Sequence, residues 1–119
     1  MGKYFVLVLA SDMKRFGFMS LFERDFVLRW VMSIESAEQL ARFDRFDFAI
    51  VNFDPDPHRA IDFCERLKKI QTRISIVFLK SKQVELPENF CADLVLDNEI
   101  SEQDLAARLT SYLKRPRSA

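Results

Sequence analysis

The residues best equipped for chemistry follow directly on an apolar run. Phe46-Asp47-Phe48-Ala49-Ile50-Val51-Asn52-Phe53 gives way to Asp54-Pro55-Asp56-Pro57, so a carboxamide and two carboxylates stand among turn-forming prolines. If the run is a central strand of a parallel α/β sheet, this turn lies where ligands and reacting groups collect, beyond the carboxyl ends of the strands. Carboxylates there can attack an electrophile or bind a hard cation. Each also has a structural reading: Asp54 holds the turn before Pro55, and Asp56 before Pro57 is an acidic N-cap followed by a proline whose missing N–H costs nothing. Two more charged residues end apolar runs, Asp12 after the first and Lys80 at the head of Lys80-Ser81-Lys82. Asp12 or Ser11 also suits a helix cap.

Other chemistries are excluded by composition. Cys64, Cys91 and the single histidine, His58, are too few for a disulfide framework or a zinc site of familiar spacing, and the thiols read as small buried side chains. With only two glycines, Gly2 and Gly17, neither a dinucleotide-binding nor a P-loop glycine motif can be written. Eighteen basic residues balance eighteen acidic ones, so no net field draws the chain to nucleic acid or acidic lipid. No apolar run approaches the ~20 residues of a membrane span. The expectation is a cytoplasmic protein without secretory signal, metal or cofactor, folded as one domain over residues 1–119 with a single core.

The elements that must position these residues follow from periodicity. Tyr4–Ala10 (YFVLVLA) is a continuous apolar run, as a strand covered on both faces requires. A helix capped by Ser11 or Asp12 carries Phe18, Leu21 and Phe22 on one face, leaving Phe16 off it. Residues 26–34 (FVLRWVMSI) alternate partly and read as an edge strand with Trp30 inward. Ser36 and Gln39 fit a capping box before a short helix through Leu40 and Phe43. The central strand, 47–53, precedes a helix burying Ala60, Phe63, Cys64, Leu67 and Ile70. Residues 74–79 (ISIVFL) form the next strand, 87–90 have room for one helical turn, and 94–96 make a last short strand. Ser101 and Asp104 cap a final helix with Leu105, Leu109, Tyr112 and Leu113 on its buried side. This order predicts a doubly wound five-stranded parallel sheet, order 2-1-3-4-5, in a flavodoxin-like three-layer sandwich.

With these landmarks in order, the chain resembles the receiver domain of bacterial two-component response regulators over essentially its whole length. The opening strand with an acidic residue after it, the Asp47-Phe48-Ala49-Ile50-Val51-Asn52 run, the strand over 74–79 and the Cys91-Ala92-Asp93 turn carry the resemblance. It implies a site in which an acidic pair and an acceptor aspartate bind a divalent cation, while a hydroxyl and a lysine hold the phosphoryl oxygens. Carried onto this sequence, the acidic pair falls on Ala10 and Ser11, with Asp12 just beyond. The acceptor falls on Asn52, the hydroxyl on Lys80, the lysine on Asn98 and the family's switching aromatic on Val95.

None of these residue types is retained, and an amide cannot replace a carboxylate nucleophile. The resemblance therefore implies a non-enzymatic pseudo-receiver that binds a partner signalling protein without phosphorylation, with homodimerisation a further option. The short stretch between Lys80 and Asn98 implies a shortened fourth helix. Three alternatives stay open: an atypical acceptor at Asp54 or Asp12, a one-residue slip that gives Ser81 the hydroxyl place, and a small-ligand sensor beyond Asn52, Asp54 and Lys80. Lys80 itself reads either as a built-in cation among Asp12, Asp54 and Asn52 or as a solvated strand-end lysine.

Overall fold

The computed structural model describes residues 4–11, 26–53 and 56–113. Five strands, β1 (Tyr4–Ala10), β2 (Phe26–Val31), β3 (Phe48–Asn52), β4 (Ser75–Lys80) and β5 (Leu94–Asp97), pair in parallel in the order β2-β1-β3-β4-β5. Among the described residues the helices are α1 (Ile34–Phe43), α2 (Pro57–Ile70) and α3 (Glu102–Leu113). The expected sheet order is the observed one. The expected helix over the residues after Ser11, with Phe16, Phe18, Leu21 and Phe22, lies outside the described residues, as do Asp12 and Asp54.

Strand alternation divides the core into two layers. Leu7, Leu9, Ala49, Val51, Ile76 and Phe78 face α1 and α2, where Ile34, Ala37, Ala60, Phe63, Cys64 and Leu67 meet them. Val6, Val8, Ile50, Val77, Leu79 and Leu96 face the other way, onto Leu105 and Leu109 of α3. β1 from Val6 onward and β3 therefore bury both faces, which explains the apolar runs Val6–Ala10 and Phe48–Val51. β2 has one strand neighbour, and its Arg29 is exposed while Trp30 is half-buried at the margin of the second layer, short of the full burial expected.

Local signals account for the boundaries. β2 stops at Val31 instead of reaching residue 34, because Ser33 is the N-cap of α1: its Oγ accepts from the Ser36 N–H at 3.1 Å. The expected Ser36 capping box is thereby corrected. Starting one turn earlier places Ile34, Ala37 and Ala41 on the buried face and leaves Phe43 80% exposed. Asp56 caps α2 as read, its Oδ1 accepting from Arg59 N–H at 3.1 Å, with Pro57 in the first turn. Ile70, expected in the core, is the last residue of α2 and is 42% exposed. Gln71 then ties three segments together: its Nε2 donates to the carbonyls of Ala41 (2.8 Å) and Asp44 (2.7 Å), and its Oε1 accepts from Phe46 N–H (2.8 Å). It satisfies carbonyls at the end of α1 that the helix cannot.

Segment 81–93 contains no α-helix. The expected shortened helix is reduced to turns, one closed by Val84 N–H on Ser81 O (3.2 Å) and one by Phe90 N–H on Pro87 O (3.1 Å). Pro87 bars a continuous helix through the segment. Val84, Leu86, Phe90, Cys91 and Ala92 pack against the first layer instead, Phe90 meeting the Phe78 ring edge-on at 5.0 Å.

Candidate functional site

β1 and β3 end side by side, with Ala10 opposite Asn52. Ala10 is fully buried and Ser11, just beyond, is exposed. Asn52, 4% exposed, is the buried polar residue among those described, and among them its Oδ1 has no hydrogen-bond partner. An orphaned amide oxygen in a water-poor setting costs about 1–3 kcal/mol. Sequence periodicity could place Asn52 at the strand end, but not reveal that its oxygen is unsatisfied.

Lys80 is the last residue of β4, opposite Asp97 of β5. Its Nζ turns back to the loop and donates to the carbonyls of Val84 (3.0 Å) and Ser81 (3.3 Å). The side chain thus acts as a latch on the start of segment 81–93. Its expected pairing with Asp12 and Asp54 involves residues outside those described. The Asn98 N–H donates to Lys80 O at 2.8 Å, continuing the β4–β5 alignment past the strand end. Asp97 stabilises the same turn, its Oδ1 accepting from Glu99 N–H at 2.9 Å.

Lys80, Ser81, Val84 and Asn98 line a cavity of about 100 Å³ together with Phe53 and Pro57. The structure brings Lys80, Ser81 and Asn98 to one cavity and sets Ala10 against Asn52 next to it. Phe53, Pro57, Phe78, Leu79 and Val84 complete its wall; the sequence marked none of them as site residues, because each reads locally as core, helix start or loop. A wider cleft of about 370 Å³ opens at the opposite end of the sheet, between Phe5, Arg29, Asp44, Arg45 and Asp47. It carries charges of both signs and lies at the amino ends of the strands, so the strand-end cavity is the better candidate despite its size.

Chemically, Ala10, Ser11 and Asn52 supply a methyl, a hydroxyl and an amide where paired carboxylates would be needed to hold a hard cation. Among the described residues no group of three or more histidine, cysteine, aspartate or glutamate side chains is placed to hold a metal ion. Val95 has no ring and is 39% exposed, on the side of β5 where segment 81–93 provides no helix. No helix among the described residues is long and apolar enough to cross a membrane.

No protein-family model matches the chain, and no curated protein matches it by sequence. Solved structures do match in fold. The non-phosphorylated HemR receiver domain of Leptospira biflexa superposes with a TM-score of 0.76 at 19% identity, over 98% of this chain and 99% of that one. HP1043, an orphan response regulator of H. pylori, gives 0.75 at 22% identity, over 95% and 98%. A streptococcal redox sensor from a family evolved from two-component response regulators gives 0.70 at 21% identity, over 92% of this chain and 50% of the sensor. The chain therefore has the CheY-like receiver fold anticipated from its sequence.

Proposed function

We propose that this chain is a phosphorylation-independent pseudo-receiver: a non-enzymatic, cytoplasmic signalling module of one domain, over residues 1–119, that presents a fixed surface to a partner protein. The observation that carries the reading is Asn52. At the end of the central strand, where the receiver fold implies a carboxylate nucleophile, stands a buried amide. An amide oxygen is too weak a nucleophile to form an acyl phosphate, and Ala10 and Ser11 beside it add no charge to recruit a cation. Lys80 supports the reading further, since its amine is committed to loop carbonyls. Solved relatives of this fold include a redox sensor, so use of the scaffold with another input has a precedent outside this chain.

Incubation of the full chain with acetyl phosphate and magnesium, followed by intact mass measurement, tests the proposal. The expected spectrum has no phosphoryl adduct. An acid-labile, base-labile adduct mapped to Asp12 or Asp54 would establish an atypical acceptor and overturn it.

The strand-end cavity favours a second reading, a small-ligand sensor. At about 100 Å³ it would admit only a compact ligand, for which the Lys80 amine would give up its loop carbonyls. A ligand that raises Tm in the parent but not in Lys80→Met would establish this reading.

A further inference from the structure

We propose that Cys64 and Cys91 form a thiol modification site, closing on oxidation into a reversible intramolecular disulfide that tethers segment 81–93 to α2. They are the only two cysteines in the chain. Cys64 lies on the buried face of α2, and Cys91 is half-buried against the same core layer.

A clamp one step away sets their relative height. Lys68 Nζ donates to Asp93 Oδ2 at 3.0 Å and to Ile74 O at 2.6 Å, while Asp93 exchanges hydrogen bonds with Ile76, N–H to O and Oδ2 to N–H, both at 2.8 Å. Lys68 and Asp93 are thereby fixed near the start of β4. Cys64 precedes Lys68 by four residues, a rise of about 6 Å along a helix. Cys91 precedes Asp93 by two residues, about 6–7 Å of extended chain. α2 runs against the strands, and segment 81–93 returns from the carboxyl end of β4 to the amino end of β5. Both steps therefore go the same way, and the two thiols arrive at one level between helix and loop.

Electrostatics point to the same neighbourhood. Burial pushes the Cys64 thiol up, and the charge of Cys91, then that of Glu65, adds to the shift while Lys68 opposes it. The Cys91 thiol is also raised, first by burial and then by Glu65; hydrogen bonding at its own backbone and Lys68 oppose this, and Asp93 adds to it. Glu65 and Lys68 act on both sulfurs, as charges do only at short range. With both thiols raised, reaction is slow and follows loop opening.

Hydrogen peroxide, as a two-electron oxidant, balances the step. The Cys91 thiol gives up its proton, its sulfur attacks one peroxide oxygen, the O–O bond breaks, and the departing hydroxide takes a proton to become water. The Cys64 sulfur, on losing its proton, then attacks the sulfenic sulfur; the S–S bond forms, the S–O bond breaks, and a second water leaves. The non-helical loop supplies the adjustment that brings the Cα atoms within the ~7 Å a disulfide requires.

The test is peroxide treatment of the native full chain, quenching with N-ethylmaleimide, and peptide mapping. The expected product is a monomer lighter by two hydrogens, with a Cys64–Cys91 peptide pair that dithiothreitol removes and a higher Tm than the reduced chain. Cys91→Ser and Cys64→Ser each abolish the pair; mapping of the parent chain decides the matter even if the buried Cys64→Ser change impairs folding. Over-oxidation of Cys91 with Cys64 untouched, Cys91-linked dimers, a cross-link formed only in urea, or no reaction would each overturn the proposal.

Discussion

Replacing Asn52 by aspartate exchanges an amide for a carboxyl group of nearly the same shape, so the pH-dependent change in stability reports charge. The site is 4% exposed and, among the described residues, no donor faces Asn52 Oδ1. Ala10 beside it is apolar, and the Lys80 amine is held by the carbonyls of Ser81 and Val84. A carboxylate there loses its hydration without compensation, which raises its pKa in the folded state by about 3 units. The folded state then binds more protons than the unfolded state between roughly pH 4 and pH 7, so stability falls as pH rises through that window and is flat above it. At about 1.4 kcal/mol per unit, the loss at pH 8 is about 4 kcal/mol, a large share of the roughly 5–15 kcal/mol that holds a small domain together. Urea unfolding of Asn52→Asp and the parent at pH 4 and pH 8 measures this directly. The expected result is near-equality at pH 4 and a much lower midpoint for the variant at pH 8, with magnesium giving no rescue. Equal midpoints at pH 8 would overturn this by showing that a donor or water compensates the carboxylate, and restoration by magnesium would mean that the site assembles a cation-binding pocket.

Five substitutions at four positions test the supporting structure. Asp93→Ala leaves the buried Ile76 N–H without its acceptor and should cost about 1–3 kcal/mol in urea unfolding. Asp93→Asn keeps an oxygen for that N–H and should lose less than about 1 kcal/mol, since the Lys68 pair is partly exposed. Ser33→Ala should cost about 1 kcal/mol by removing the α1 cap, and Ser36→Ala less, with thermal melts as the readout. Lys80→Met keeps the aliphatic stem but loses both donors to the loop; amide exchange in segment 81–93 should quicken roughly tenfold, as about 1–2 kcal/mol of local stability is lost.

The sheet was legible because its inner strands are buried on both faces. The runs over Val6–Ala10 and Phe48–Val51 had to be apolar throughout, and their order with intervening helices admitted few topologies. The edges were harder to read. Ser33 and Ser36 are both competent caps, and the choice of Ser33 depends on tertiary packing of Ile34, which local sequence does not reveal. Ile70 and Phe43 continue the periodicity of their helices but stand at helix ends, where the core has already stopped. Segment 81–93 lacks a repeating pattern, so its apolar residues could not be assigned to a surface before the Phe78 ring was seen to receive Phe90. At the site, residue types at the strand ends were readable from order alone. The Lys80 latch was not, because a lysine bonded to carbonyls four residues on leaves no periodic trace. The Lys68–Asp93 clamp joins residues that are far apart in sequence, and neither partner is unusual in its own segment.

The proposed pseudo-receiver has strand ends that do not respond to a phosphoryl group. The most direct test is titration of the full chain with magnesium and beryllofluoride, followed through the amide NMR signals of Asn52, Lys80 and Asn98. These signals are expected to stay where they are at saturating mimic. Saturable shifts spreading from Asn52 towards Lys80 and Asn98 would contradict the proposal and identify a working phosphoryl site of altered composition.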